Sequence, residues 1–259
     1  MIQLPLLQNN PDHTAPNRRA HPTLPISETF VSLQGEGALT GVPSWFLRVA
    51  GCNLRCAWCD TPYASWSPEG QPRETAELID EAVRTGVQHA VLTGGEPMLF
   101  PQLAPLAQGL RDRGIHVTIE TAGTIDRGDV HFDLLSLSPK LANSTPAADP
   151  RDPTGAWAAR HERRRIDTAA LQALIDRARV QDRAKQFKFV VTDPADLAEI
   201  DDLLASLSGW SPAEIFLMPE GVEIPDPESV RWVVRTCLDR GWRYGNRLHI
   251  ELFGDTRGT

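Results

Sequence analysis

Three cysteines in the run Cys52-Asn53-Leu54-Arg55-Cys56-Ala57-Trp58-Cys59 carry the densest chemistry in this chain, with three residues between the first pair and two between the second. A set of three thiolates suits an iron–sulfur cluster that keeps one iron free of protein ligands. An open metal position admits a substrate or cosubstrate, whereas a fully ligated metal is structural or relays electrons. Zinc is the competing occupant, but zinc sites draw on paired Cys-x-x-Cys or Cys/His knuckles. Here no second knuckle follows, and Cys237 lies far along the chain in a helical pattern, as a small core residue would. His89 and His131 stand at strand starts, the wrong end of a sheet for a site in this loop.

The elements that must position these cysteines alternate between strand and helix patterns. Short apolar, β-branched or aromatic runs predict strands over residues 29–33, 44–50, 89–93, 116–121, 132–136, 186–192, 214–218 and 247–253. Amphipathic patterns bounded by proline or glycine predict helices over 75–85, 101–113, 167–179, 194–206 and 227–240. Such alternation implies an α/β fold of mostly parallel strands joined by right-handed crossovers. The cysteine run follows the strand ending at Ala50, at the C-terminal strand end where such folds build active sites. Residues 1–25, rich in proline and polar groups, read as a poorly ordered arm, and 26–259 as one domain. Within it, 142–165 breaks the pattern and reads as an insertion loop.

Composition narrows the partners. The chain has 259 residues and a formal charge of −8, from 26 basic and 34 acidic side chains. Phosphate binding needs clustered Lys and Arg, so the acidic balance argues against nucleic acid. The basic run Arg160–Arg165 reads as a solvated surface. No stretch has the length of a membrane helix, the N-terminus lacks a secretory pattern, and bunched cysteines suit a reducing cytoplasm.

With the cysteine loop, the strand-end segment Val91-Leu92-Thr93-Gly94-Gly95-Glu96-Pro97 resembles the radical S-adenosylmethionine (SAM) superfamily. Gln34-Gly35-Glu36-Gly37, Arg48, Asp60-Thr61, Glu120-Thr121-Ala122-Gly123 and Ser138-Pro139-Lys140 look, within it, like the 7-carboxy-7-deazaguanine synthase family. The similarity runs from about residue 28 to the end, leaving out the arm and the insertion. It implies a partial (β/α) TIM-like barrel in which Cys52, Cys56 and Cys59 hold a [4Fe–4S] cluster whose unique iron binds SAM. One electron would cleave the sulfonium to methionine and a 5′-deoxyadenosyl radical. By the same resemblance Trp58, Gly95, Glu96, Ser138 and Lys140 face SAM. Gln186 and Lys188, polar positions inside an apolar strand that must find partners, are candidate nucleoside contacts.

The implied reaction is a carbon–nitrogen lyase step. It contracts 6-carboxy-5,6,7,8-tetrahydropterin to 7-carboxy-7-deazaguanine and releases ammonia, on the route to queuosine and other deazapurines. Glu36 could accept from the donor edge of a pterin, with Gln34 and Gly35 alongside, and Arg48 could hold the substrate carboxylate. Thr93 and His249 match substrate contacts, and Thr61 matches a hydroxyl that binds Mg²⁺. A homodimer and a flavodoxin- or ferredoxin-type electron donor complete the expectation. An activating enzyme for a glycyl-radical protein would share the cysteine loop and the Gly-Gly-Glu segment. A zinc-stabilised binding module remains the non-catalytic alternative.

Overall fold

Strands β1 to β9 span Thr23–Leu33, Pro43–Val49, Gln71–Glu74, His89–Gly94, His116–Thr121, Leu134–Leu137, Ala184–Val191, Ile215–Pro219 and Arg243–Tyr244. Helices α1 to α8 span Pro62–Ser65, Thr75–Thr85, Leu103–Arg111, Ala156–Glu162, Thr168–Val180, Asp196–Ala205, Arg231–Arg240 and Leu248–Phe253. They come from a computed structural model that describes residues 22–259. The expected residue 1–21 part of the arm lies outside the described residues.

One nine-stranded sheet runs in the order β3-β1-β2-β4-β5-β6-β7-β8-β9. From β2 to β9 the neighbours are parallel, while β1 is antiparallel to both β2 and β3. The sheet curls without closing, a partial barrel of the expected kind. Period-two alternation sorts its faces. Trp45, Leu47, Leu92, Val117, Ile119, Leu135, Phe187, Phe189 and Leu217 point outward into a core shared with Leu78, Leu106, Leu171, Leu174, Leu203 and Val233 of the covering helices. The alternate positions Arg48, Thr93, Glu120, Ser136, Gln186 and Lys188 therefore face the barrel interior. Register sets Arg48 beside Thr93, and Glu120, Ser136 and Gln186 in one row across three strands.

Three sequence expectations are corrected. The arm does not reach residue 25: β1 begins at Thr23, and Leu24 is fully buried. Pro25 hid this, because proline lowers a strand reading, but it sits opposite Pro72 on β3, another residue without a donor. The 142–165 segment is no plain loop. It holds α4 and buries Ser144, Asp152 and His161. Residues 248–253 form α8 rather than a strand, since β9 already occupies the sheet edge. Two short strands, β3 and β9, carry too little pattern to read from sequence.

Candidate active site

A cavity of about 560 Å³ opens at the C-terminal ends of β2, β4, β5 and β6. That volume lies within the range of small-molecule sites. Its lining brings together Cys52, Cys56, Trp58, Cys59, Thr61, Thr93, Gly95, Ser138 and Lys140 with Gln34, Gly35, Glu36, Arg48, Lys188 and His249. Two expected ligand contacts, Glu96 and Gln186, are absent from it.

At one end the three cysteines hang in the loop between β2 and α1. Burial pushes the thiols of Cys52 and Cys56 up to about 12, and the Glu96 charge adds to the effect at Cys52. Such thiols stay protonated until a metal displaces the proton. A metal cluster is therefore the group that this donor set fits: three soft sulfurs, dry surroundings and no protein cation bonded to them. Cys59 Sγ lies 3.1 Å from Ser65 Oγ and 3.8 Å from Thr61 Oγ1. Among the described residues, no three His, Cys, Asp or Glu side chains converge as they would around a single metal ion.

The Gly94-Gly95 turn abuts this loop. Gly94 has φ +149°, and a Cβ there would meet Val49 at about 2.5 Å. A Cβ on Gly95 would meet the Gly51 carbonyl oxygen at 2.2 Å. These glycines thus let two protein segments touch, beyond any approach of a ligand. Glu96, expected to face SAM, has a fully buried carboxylate that is turned back into the chain. It accepts from Met98 N–H at 3.0 Å, Thr121 O–H at 2.8 Å and Ala122 N–H at 2.8 Å, tying the β4 turn to the end of β5. Next to the cysteines, Trp58 donates from Nε1 to Asn143 O at 3.1 Å, and Lys140 donates to Ser138 Oγ at 2.7 Å. The Lys140 ammonium sits 5.4 Å from the Trp58 ring centre.

At the other end the residues 34–38 cross the mouth of the barrel as a strap. Leu248 N–H donates to Gly35 O at 2.9 Å, and Ala38 N–H donates to Gln186 Oε1 at 2.8 Å. A Cβ on Gly35 would strike His249 Nδ1 at 2.0 Å, so any larger residue would push the His249 ring aside. Gln186 is 1% exposed and also donates to Ser136 Oγ at 2.9 Å, so it ties the strap to the sheet.

The strap carries Glu36 to Lys188. Lys188 Nζ donates to Glu36 Oε2 at 2.8 Å and to Glu120 Oε2 at 2.5 Å. Burial alone would raise the Glu36 pKa, but the charges of Lys188 and Arg247 outweigh it and hold the carboxyl at about 2. Burial opposes the Lys188 charge, yet Glu120 and Glu36 prevail and raise its pKa. Gln34 Nε2 reaches Glu120 Oε1 at 3.3 Å. Burial, with Arg247 and Lys188 nearby, lowers the pKa of His249 despite the Glu36 and Asp60 charges. Arg48, on the β2 side, donates from Nε to Glu28 Oε1 at 2.7 Å, and Tyr63 O–H donates to the same oxygen at 2.8 Å.

Glu120, Arg247 and Tyr63 line the cavity and were missed as individual site residues. Their signal was present: a polar inward position on β5, and an arginine two residues before His249. Residues 254–259 also border the cavity.

The Radical SAM superfamily profile matches residues 47–141. Over 245 residues the chain is 46% identical to the 7-carboxy-7-deazaguanine synthase of Rhodopirellula baltica, covering 93% of this chain and 91% of that protein. To the 7-carboxy-7-deazaguanine synthase of Halobacterium salinarum it is 45% identical over 257 residues, covering 96% and 97%. The crystal structure of QueE from Escherichia coli superposes with a TM-score of 0.64 at 28% identity, covering 88% of this chain and 95% of that one.

Proposed function

The chain belongs to the 7-carboxy-7-deazaguanine synthase family of the radical SAM superfamily, and from that premise we propose how its residues divide the work. It is a radical SAM lyase that makes 7-carboxy-7-deazaguanine, and its substrate is 6-carboxy-5,6,7,8-tetrahydropterin, which loses ammonia as the ring contracts. The superfamily carries a [4Fe–4S] cluster and SAM, which together supply a strong hydrogen-atom abstractor.

Cys52, Cys56 and Cys59 hold the cluster. The backbone of the Gly94-Gly95 turn, with Trp58, Ser138 and Lys140, holds SAM beside it. The pterin lies between this end and the strap. Ionised Glu36 accepts from the pterin N–H edge, and Glu120 and Gln34 line the same side. Lys188 keeps both carboxylates in place and Glu36 ionised. The substrate carboxylate is met by Arg48, whose guanidinium uses Nε on Glu28 and has its outer nitrogens to offer. Thr61 Oγ1 would offer one oxygen to a bound Mg²⁺, which would help to orient the substrate carboxylate. Thr93 and His249 close the remaining sides, and the strap excludes water from a reactive carbon radical.

The observation that carries this reading is the convergence, on one cavity, of the cysteine loop, the glycine turn and the Glu36–Lys188–Glu120 group. Anaerobically reconstituted protein, given SAM, a reductant and 6-carboxytetrahydropterin, should form the deazaguanine chromophore while SAM is regenerated. Stoichiometric consumption of SAM without that product would overturn it. Omitting Mg²⁺ should slow turnover in wild-type protein and change little in Thr61→Ala. A homodimer and a small one-electron donor protein complete the proposal; sedimentation and reduction by flavodoxin or ferredoxin test them. No helix among the described residues is long and apolar enough to cross a membrane.

A further inference from the structure

Arg55, between Cys52 and Cys56, is a buried cation without a carboxylate. It is 7% exposed, and it enters no ion pair with an acidic side chain among the described residues. Its Nη1 donates to the carbonyls of Cys52 at 2.9 Å and Leu54 at 2.7 Å, and its Nε is buried with no partner. A charge taken out of water requires compensation nearby. The groups near enough to favour its charge are the sulfurs of Cys52, Cys59 and Cys56, which become negative once they bind metal, while burial and the Arg160 guanidinium oppose it.

The 142–165 segment holds this arginine in place. Its guanidinium lies 4.0 Å from the centre of the Trp157 ring, which also carries Arg160 at 4.4 Å. The Arg55 backbone N–H donates to His161 Nδ1 at 3.1 Å, and His161 Nε2 meets Ser144 Oγ at 2.9 Å. Ala57 N–H donates to Ser144 O at 2.8 Å, so the inter-cysteine loop is stitched to this segment at several points.

We propose that Arg55 is the fixed counter-charge of the thiolate-bound cluster, positioned by Trp157 and His161, and that it sets how readily the cluster accepts an electron. The inference rests on the cluster assignment above. Reduction adds one negative charge to the cluster, and a guanidinium that never deprotonates stabilises the reduced form more than the oxidised one. Burial makes that difference large, because little water screens it. The segment that read as an insertion loop is then part of the redox machinery.

The test is an EPR-monitored redox titration of reconstituted protein, with iron content measured on the same samples. Arg55→Gln should shift the one-electron equilibrium towards the oxidised form by tenfold or more, about 59 mV per tenfold. Arg55→Lys, which keeps the charge, should stay within about threefold of wild type, and Trp157→Leu should shift the same way as Arg55→Gln by less. An iron-loaded Arg55→Gln protein with the wild-type potential overturns the proposal. Should Arg55→Gln lose its iron, Arg55→Lys decides. Full iron at near wild-type potential supports a role for charge; iron loss or a large shift in Arg55→Lys overturns it. A wild-type protein that takes up no iron defeats the cluster assignment itself, a separate outcome.

Discussion

The two ends of the cavity handle charge in opposite ways. At the cysteine end, burial holds the thiols of Cys52 and Cys56 protonated, and the protein offers sulfurs that only a metal group can complete. At the strap end, Lys188 already balances Glu36 and Glu120. The first end is finished by its ligand; the second is finished before a ligand arrives. A polar substrate must therefore fit an existing charge pattern, which favours selectivity, whereas the metal end gains its order from loading.

The largest effect should come from breaking the first end. Cys56→Ala removes a thiolate, so the protein should purify colourless and iron-poor, with product formation lost; absorbance and iron analysis check it. Breaking the second end should cost stability whether or not metal is present. Lys188→Met leaves Glu120 without its cation and Glu36 with only the more distant Arg247, at an expected cost of about 3–5 kcal/mol in denaturant unfolding of the metal-free protein. Cys56→Ala should leave that metal-free stability nearly unchanged, so the pair separates the two principles.

Acid sharpens the contrast. The Glu36 pKa is depressed from 4.5 to about 2, so its ion pairs contribute fully above pH 4.5 and are lost as pH falls from there towards 2. The pKa of Lys188 is raised, so its contribution is present below its ordinary pKa of 10.5 and fades at higher pH. Glu36→Gln should flatten the acid limb of a stability–pH curve recorded on the metal-free protein; an unchanged limb would count against the charge balance described here.

Smaller effects probe the contacts that join each end to the sheet. Gly95→Ala sets a Cβ against the Gly51 carbonyl, and the adjacent cysteine loop must shift, at about 1–3 kcal/mol with slower iron uptake. Gln186→Leu releases Ala38 N–H, but this exposed strap residue can turn to water, so about 1 kcal/mol is expected. KM for the pterin should rise more than kcat falls, because the strap loosens.

How legible each end was follows from chain distance. The cysteine loop spans eight consecutive residues, so spacing alone announced a metal group. The strap end joins Glu36 to Lys188 across 152 positions, and residue types at that separation say nothing of contact. Glu36 and Lys188 each invited a ligand role, and their mutual ion pair emerged only from the fold. Glu96 and Gln186 invited a ligand reading because a polar residue in a motif or inside an apolar strand looks like a contact, whereas in the fold Glu96 holds buried backbone amides and Gln186 holds the Ala38 amide and Ser136.

Periodicity, proline and glycine positions and the cysteine spacing determined an α/β chain with parallel strands and a metal loop at their C-terminal ends, since these depend on interactions between near neighbours in sequence. The curl of the sheet decided the rest. It carried the strap over to β7 and α8, set Arg55 against Trp157 and His161, and chose which polar side chains pair with each other, because burial forces every charge to find a partner wherever the fold supplies one.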